Sequence, residues 1–378
     1  MKSIISRLIH RNAVGRSGRV RKRPSAHADR LLVSIVLVLT VFGILMVYNS
    51  SVAIAIRDFS DQYYFAREQL KWLIVGLIAC GVLSRIDYRR WFNAALPLMV
   101  ATLVLLLAVF LPGIGIRALG AHRWLNLGII TLQPSELAKL TLVIYLSAWF
   151  ALKEKGRFPA FLVLLIMLVG LVAFQPDVGT AVVLFAIAMV LYFFSGAPIL
   201  HVSLLFIVSV IGFAVLSVIS PYRFARILTF FNPEHDPLGA SYQIRQVLLA
   251  LGSGGLFGVG IGQSRQKYDY LPEANTDSIF AVIGEEIGFL GATVVIALFL
   301  LLVWRGFRIA KRAPDTFGRL VALGVTSWIA IQTLINLSAM VALVPLTGIP
   351  LPLISYGGSS LIIVLSALGI LLNISRQS

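Results

Sequence analysis

The chain has 378 residues, of which 58% are hydrophobic and only 13% charged, with a formal net charge of +16 and a mean hydropathy of +0.91. A soluble domain of this length would carry about twice that charged fraction, so the composition excludes an ordinary soluble enzyme. The lone cysteine, Cys80, excludes an intrachain disulfide, a thiolate metal site and a CxxC redox pair, and reads as a small core residue.

Residues 1–29 form a basic tail, predicted to be disordered, cytoplasmic and held near anionic lipid headgroups; docking to a protein partner is the second reading. A full-length apolar span follows with no small-residue cleavage site, so no removable signal peptide is expected. From residue 30 to 378 the chain reads as one membrane domain. Repeated apolar runs of about 20 residues predict an all-α polytopic fold. Ten spans are expected, near 31–55, 66–84, 91–112, 135–152, 158–174, 178–195, 198–219, 278–304, 317–343 and 358–375.

The positive charge is clustered rather than spread. Nine Lys/Arg lie in residues 1–30, then Arg85, Arg89 and Arg90, Lys153, Lys155 and Arg157, and Arg305, Arg308, Lys311, Arg312 and Arg319. In a ten-span topology these fall on one side. That side is cytoplasmic by the positive-inside rule, with both termini inside. The charge is therefore a topology signal, and nucleic acid is not an expected partner.

The opposite side holds the irregular segments. Residues 113–134 are expected to be a loop. Its Arg123 and Trp124 offer a phosphate-binding fork beside an aromatic plate, or an interfacial aromatic anchor. Glu136 and Lys139 then stand at i, i+3 at the outer end of the fourth span, able to face a cavity together or to form a structural ion pair. Gln175-Pro-Asp-Val-Gly-Thr180 is a tight outer turn in which Asp177 is a helix cap by default and the second candidate for a catalytic base.

Residues 220–277 make a 58-residue connection, long enough to suggest function. Asn232-Pro233 and Asp236-Pro237 are turn signals. Ile244, Val247, Leu248 and Leu251 recur with helical spacing and predict a short helix lying flat at the outer interface. Six glycines between Gly252 and Gly262 do not fit GxGxxG and are expected to serve close backbone packing or a hinge. Arg265 and Lys267, with Tyr268 and Tyr270, suit a pyrophosphate and a sugar, or a solvated loop face. His122 and His235 are isolated and read as surface residues.

Leu271-Pro-Glu-Ala-Asn-Thr-Asp277 ends that connection with two carboxylates and runs into an apolar span. Asp277 can cap the helix, take a proton from a nearby hydroxyl, or both. Glu273 can orient a substrate, couple to Asp277, or simply be solvated. Glu285 and Glu286 follow inside the same span, where an unpaired carboxylate is expensive; pairing with a basic residue is preferred to catalysis. The last outer segment, 344–357, has no charge. Its Pro345-Leu-Thr-Gly-Ile-Pro-Leu-Pro352 cannot continue a helix and is expected to re-enter the membrane edge buried against protein. Ser355-Tyr-Gly-Gly-Ser359 starts the final helix. No DxD, HExxH or P-loop occurs, which argues against ATP or a metal-bound sugar nucleotide. No cofactor is evident, and no cluster has metal-ligand spacing that would indicate a divalent cation.

The motifs at Gln133–Lys139, Gln175–Thr180, Asn232-Pro-Glu-His-Asp-Pro-Leu-Gly239, Leu271–Asp277, Gly284-Glu-Glu286 and Pro345–Pro352 with Ser355–Gly358 occur together and in order. In this the chain resembles the SEDS family (shape, elongation, division and sporulation) over about residues 30–375, most closely its cell-division members and next its elongation members. Ser278 departs from the Phe often found there in the family. The resemblance implies a ten-helix peptidoglycan glycosyltransferase of the bacterial cytoplasmic membrane, at the division septum for a cell-division member. It implies lipid II as substrate, Asp277 as catalytic aspartate, and a class B penicillin-binding protein with other divisome proteins as partners. Arg123, Trp124, Glu136, Lys139, Asp177, Lys267, Glu273, Ser355 and Tyr356 are the expected substrate-binding residues, and Glu285 and Glu286 the coupling pair; Arg123, Lys139 and Lys267 would neutralise the leaving pyrophosphate. A lipid II flippase and a noncatalytic division scaffold remain as other classes.

Overall fold

The computed structural model describes residues 29–377, apart from 119–120, 127, 129–130, 153–155, 220–223, 225–227, 231–240 and 269, and apart from the side chains at 117–118, 121–122 and 213–219. All of the basic tail but Asp29, the two Asx-Pro turn signals, His122 as a side chain and His235 lie outside the described residues.

Ten helices of 17 to 34 residues stand among the described residues: α1 (Arg30–Phe59), α2 (Tyr64–Leu83), α3 (Arg90–Ala108), α4 (Pro134–Ala151), α5 (Phe158–Phe174), α6 (Val178–Phe194), α7 (Ile199–Ile219), α9 (Ile279–Arg312), α10 (Thr316–Met340) and α11 (Gly358–Arg376). An eleventh, α8 (Tyr242–Ser253), is short. The ten match the ten expected spans. Five of them (α1, α3, α9, α10 and α11) are long and apolar enough to cross a membrane individually.

The helices pack because each has a side that cannot face lipid headgroups or water. α11 is buried almost throughout, against α2, α4, α9 and α10. α4, α6 and α10 complete the centre, while Leu37, Val38, Val41 and Leu45 of α1, and Val100, Val104 and Leu107 of α3, are exposed on the outside. An apolar outer surface around a core with buried polar groups is the pattern of a multi-pass membrane protein.

The two ends of the bundle differ in chemistry. At one end Asp29 caps α1 and pairs with Arg305, and Asp315 caps α10 while accepting from Tyr88 and Arg89. Arg89 also donates to Gln377. Both ends of the described chain thus meet on the basic side, which the positive-inside rule makes cytoplasmic. Burial and the Asp315 carboxylate push the Tyr88 hydroxyl up, so it stays a proton donor to that carboxylate.

The outer end holds the departures from a plain helical bundle. The expected loop at 113–134 contains a three-stranded antiparallel sheet, β1 (Gly115–Ala118), β2 (Ala121–Asn126) and β3 (Thr131–Leu132), in the order β1-β2-β3. Gly115 opposes Leu125 and Leu125 opposes Leu132, with an irregularity between Ile116 and Arg117. The strands are too short for alternation to stand out in sequence. The hairpin pairs backbone groups that would otherwise lie unsatisfied at the membrane surface.

The expected span at 278–304 is also corrected. α9 runs on to Arg312, and it is broken at Gly288 (φ 68°, ψ −172°), so Ile279–Ile287 is a separate short segment. The break opens the helical ladder, and the glycine-rich segment closes it. Val259 and Gly260 N–H donate to the carbonyls of Glu285 and Glu286 at 2.9 and 3.0 Å, while Phe289 and Leu290 N–H donate to Gly255 and Leu256 carbonyls at 2.9 and 3.1 Å. The two backbones lie so close that a Cβ on Gly258 would sit 2.1 Å from the Glu286 carbonyl oxygen. Close backbone packing, one of the two uses expected for these glycines, is present. α8 buries Ile244, Val247 and Ala250 and leaves Leu248 exposed, packing against α9 beside this junction.

Candidate active site

Asp277 stands two residues before the start of α9 and is only 8% exposed. It does not cap the helix: Ser278 occupies the N-cap position and makes no side-chain cap bond. The turn carrying Asp277 is built locally. Glu273 adopts a left-handed backbone (φ 54°), its carbonyl accepts from Thr276 N and Ser278 N at 3.1 Å each, and its carboxylate accepts from Thr276 Oγ1 at 2.6 Å. Glu273 itself is exposed.

Three tertiary bonds then fix the turn. Ser355 Oγ donates to the Thr276 carbonyl at 2.6 Å, Tyr356 N–H to the Asn275 carbonyl at 2.9 Å, and Asn336 Nδ2 to the Asp277 carbonyl at 2.8 Å. Ser355 and Tyr356, expected to bind substrate, therefore hold the Asp277 turn through contacts to its backbone. The Ser355 hydroxyl also accepts from Leu351 N–H at 2.8 Å, so its one donor is spent on the turn. The Tyr356 ring is half-buried against Phe65, and burial with Glu68 and Tyr64 nearby pushes its hydroxyl up to about 12, so it stays neutral.

The expected irregular segment 344–357 lacks helix, and the irregular stretch begins at 341, three residues earlier than expected; it buries Ile349, Leu351, Leu353 and Ile354. Its Gly348 (φ +69°) faces the Asp277 carboxylate: a Cβ there would stand 3.8 Å from Oδ2. Bare backbone thus forms one wall beside the carboxylate.

Glu136 and Lys139 are an ion pair with Nζ–Oε1 2.8 Å, and the side chains are 3% and 1% exposed. Lys139 Nζ also donates to Gln332 Oε1 at 2.9 Å and lies 5.2 Å from the Trp328 ring centroid. The expectation that Lys139 neutralises a pyrophosphate is corrected: the ammonium is sealed inside the bundle. The structural ion pair, the other reading of these two residues, is what forms.

Lys267 is corrected for a similar reason. Its three N–H donors are spent on Glu286 Oε1 at 3.2 Å, Asn49 Oδ1 at 2.7 Å and the Gly262 carbonyl at 2.7 Å, and the residue is 4% exposed. Glu286 also accepts from Asn49 Nδ2 and Ser264 N–H, and Glu285 from Ser264 Oγ and Arg265 N–H. The preferred pairing of Glu286 with a basic residue is present; Glu285 instead holds a backbone turn. This cluster ties α1 to the Ile279–Ile287 segment.

Asp177 spends its carboxylate on structure. Oδ1 caps α6 by accepting from Thr180 N–H at 3.2 Å, and Oδ2 accepts from Gln133 Nε2 and Ser135 Oγ, both at 3.2 Å. That leaves it poorly suited to bind substrate or act as a base. Arg123 points Nε to the Gln175 carbonyl at 3.2 Å and Nη2 to that of Pro176, which takes two of its five N–H donors. It clamps the Asp177 turn to β2 and stays half-buried. Trp124 is its half-buried neighbour on β2, opposite Ile116.

The sequence reading missed Gln332 and Asn336 on α10 and Gln69 on α2. Gln69 Nε2 donates to the Ser355 carbonyl at 3.2 Å and its Oε1 accepts from Gly357 N–H at 3.3 Å. For Gln332 and Asn336 the available signal was an uncharged amide within an apolar run, which is expensive in a membrane core unless it has partners; Gln69, among Arg67, Glu68 and Lys71, carried no such signal. Among the described residues no three His, Cys, Asp or Glu side chains gather to hold a metal ion.

Comparison with known proteins agrees with this architecture. The model of the FtsW/RodA/SpoVE family, described as "Cell cycle protein", matches residues 29–378. The chain is 44% identical to stage V sporulation protein E of Bacillus subtilis over 93% of its length and 97% of that relative. It is also 44% identical to a probable peptidoglycan glycosyltransferase FtsW of Trichlorobacter lovleyi, covering 93% of each. Among solved structures, the rod shape determining protein RodA of Thermus thermophilus aligns with TM-score 0.69 and 30% identity, over 93% of this chain and 97% of that one. A chain from a study of polymerization and crosslinking by a peptidoglycan synthase complex aligns with TM-score 0.76 and 31% identity, over 93% and 98%. The chain belongs to the FtsW/RodA/SpoVE family.

Proposed function

We propose that this chain is a peptidoglycan glycosyltransferase that polymerises lipid II at the outer face of the bacterial cytoplasmic membrane, with Asp277 as general base. The observation that carries the reading is the state of Asp277. It is a nearly buried carboxylate at the outer end of the bundle, just ahead of the α9 N-cap Ser278 and faced by the bare backbone of Gly348. Kinship with probable peptidoglycan glycosyltransferases at 44% identity supports the same activity.

In the proposed reaction an acceptor sugar hydroxyl approaches Asp277 and its proton passes to the carboxylate. The hydroxyl oxygen forms a bond to the anomeric carbon of the donor as the bond to the prenyl pyrophosphate breaks. Attack from the face opposite the leaving group inverts that carbon. General-base assistance contributes about 10²- to 10⁴-fold in such steps. Glu273 and the remaining Arg123 donors are charged groups of the expected site that stay at the outer face to meet substrate. Lys139 and Lys267 stabilise the scaffold instead.

The relative from a peptidoglycan synthase complex supports a second proposal, that a class B penicillin-binding protein is the partner; the division septum as the place of action is proposed from the likeness to FtsW. The test is polymerisation of lipid II by the purified chain with that partner, its transpeptidase blocked. Asp277→Asn should lower the rate by at least about 100-fold while leaving the thermal unfolding profile unchanged. Unaltered glycan synthesis by the variant would remove Asp277 from the mechanism. A folded, partnered wild type that moves lipid II across vesicles without joining sugars would make the chain a flippase.

A further inference from the structure

We propose that Gln332 and Asn336 are positioning residues that hold the Gly348 wall and the Asp277 turn in one geometry. The proposal rests on Asp277 being the reacting group. The two amides are one helical turn apart on α10, at i and i+4, and so share a face. Both are buried, at 0% and 1% exposure. Gln332 Nε2 donates to the Pro350 carbonyl at 2.9 Å; Asn336 Nδ2 donates to the Ile349 carbonyl at 2.8 Å and to the Asp277 carbonyl at 2.8 Å.

Their orientations are forced by chemistry. Lys139 Nζ and Trp328 Nε1 donate to Gln332 Oε1 at 2.9 and 2.7 Å, and neither group can accept a hydrogen bond. The Gln332 oxygen must face them, so its NH₂ must face Pro350. Asn336 faces two carbonyls, which can only accept. Its NH₂ must point to them, and its Oδ1 has no hydrogen-bond partner among the described residues. A buried amide whose oxygen goes unused is retained for its donors, since an orphaned acceptor costs about 1–3 kcal/mol.

The segment needs such help. Pro350 and Pro352 lack N–H groups, so it cannot build its own ladder, and its buried carbonyls require outside donors. Asn336 meets this need while touching the Asp277 turn with the same nitrogen. Asn336, on a rigid helix, thereby ties the Ile349 carbonyl beside Gly348 directly to Asp277, next to the Ser355 bridge from Leu351 to Thr276. The buried Glu136–Lys139 pair reaches the site through this ladder, by fixing the amide of Gln332.

The test compares Asn336→Leu and Gln332→Leu with Asn373→Leu. Asn373 is a buried amide at the cytoplasmic end that donates to the Ser84 carbonyl at 2.9 Å and accepts from Tyr88 N–H at 2.9 Å. Lipid II turnover by the full chain with its partner, hydrogen exchange over residues 346–354 and thermal unfolding are measured on all three. Both α10 variants should lower kcat by about 10- to 100-fold with KM within about twofold, because misplacement of a reacting group acts on the chemical step. They should also speed exchange in the 346–354 segment. Asn373→Leu should lower the unfolding temperature and leave kcat per folded molecule and 346–354 exchange near wild type. Unchanged exchange or unchanged kcat in Asn336→Leu would overturn the proposal, as would an equal kcat loss in Asn373→Leu. Full activity in Asp277→Asn would sink the reading of the base, while the exchange result would still decide whether the amides order the segment.

Discussion

Asp277 and Asp177 show how little a residue type says about its task. Each is a carboxylate just before an outer helix end, and each can be a cap or a base by sequence. The structure separates them by their part in the helix start: Asp177 caps α6 through Thr180 N–H and also accepts from Gln133 and Ser135, whereas the N-cap of α9 falls to Ser278. Asp177→Ala should cost about 1–2 kcal/mol through loss of the cap, read as a lower unfolding temperature. Asp177→Asn keeps an oxygen for the Thr180 N–H and should retain most polymerisation; activity lost without destabilisation would return Asp177 to the catalytic candidates. Gly348→Ala tests the wall. Its Cβ fits, 3.8 Å from Asp277 Oδ2, but φ +69° is unfavourable for any residue with a Cβ by about 1 kcal/mol. The expected result is a small loss of stability with a larger loss of kcat, and equal activity would show that the wall tolerates displacement.

At the scale of elements, the broken α9 and the glycine-rich segment are one unit. The break exposes two carbonyls and two amides, and the segment between Gly255 and Gly260 supplies their partners. The Glu286–Lys267 pair, nearly buried, locks the same junction to α1 through Asn49. Removing one partner of a buried pair leaves an uncompensated charge, so Glu286→Gln should destabilise by about 3–5 kcal/mol. Adding Lys267→Met should recover part of the loss in chemical denaturation. Additive losses in the double variant would mean that the two charges are not coupled. The glycines were legible as close packing, but not their partner, because the contact lies about thirty residues along the chain and depends on a helix break that a continuous apolar run conceals.

For the whole molecule, the separation of charge predicts accessibility. The basic end gathers Arg89, Arg305 and both ends of the described chain, and the outer end gathers Asp277, Glu273 and the small sheet. In a Cys80→Ser background, a cysteine placed at Glu273 should react with a membrane-impermeant maleimide on intact spheroplasts, and one at Lys311 only after permeabilisation. The reverse pattern would invert the topology.

Sequence by itself determined the class, the ten spans, the sidedness and the two outer segments that meet at Asp277. Those follow from apolar length, clustered basic charge and helix-breaking prolines, which act locally and leave their mark within a short window. Only the tertiary structure decided which polar groups are free to meet a substrate. Lys139 and Lys267 look like phosphate ligands in a linear reading because their cost of burial is hidden until Glu136, Gln332, Glu286 and Asn49 are seen around them. In a bilayer a buried charge must be answered by distant partners, and such pairings are long-range facts that the order of residues does not display.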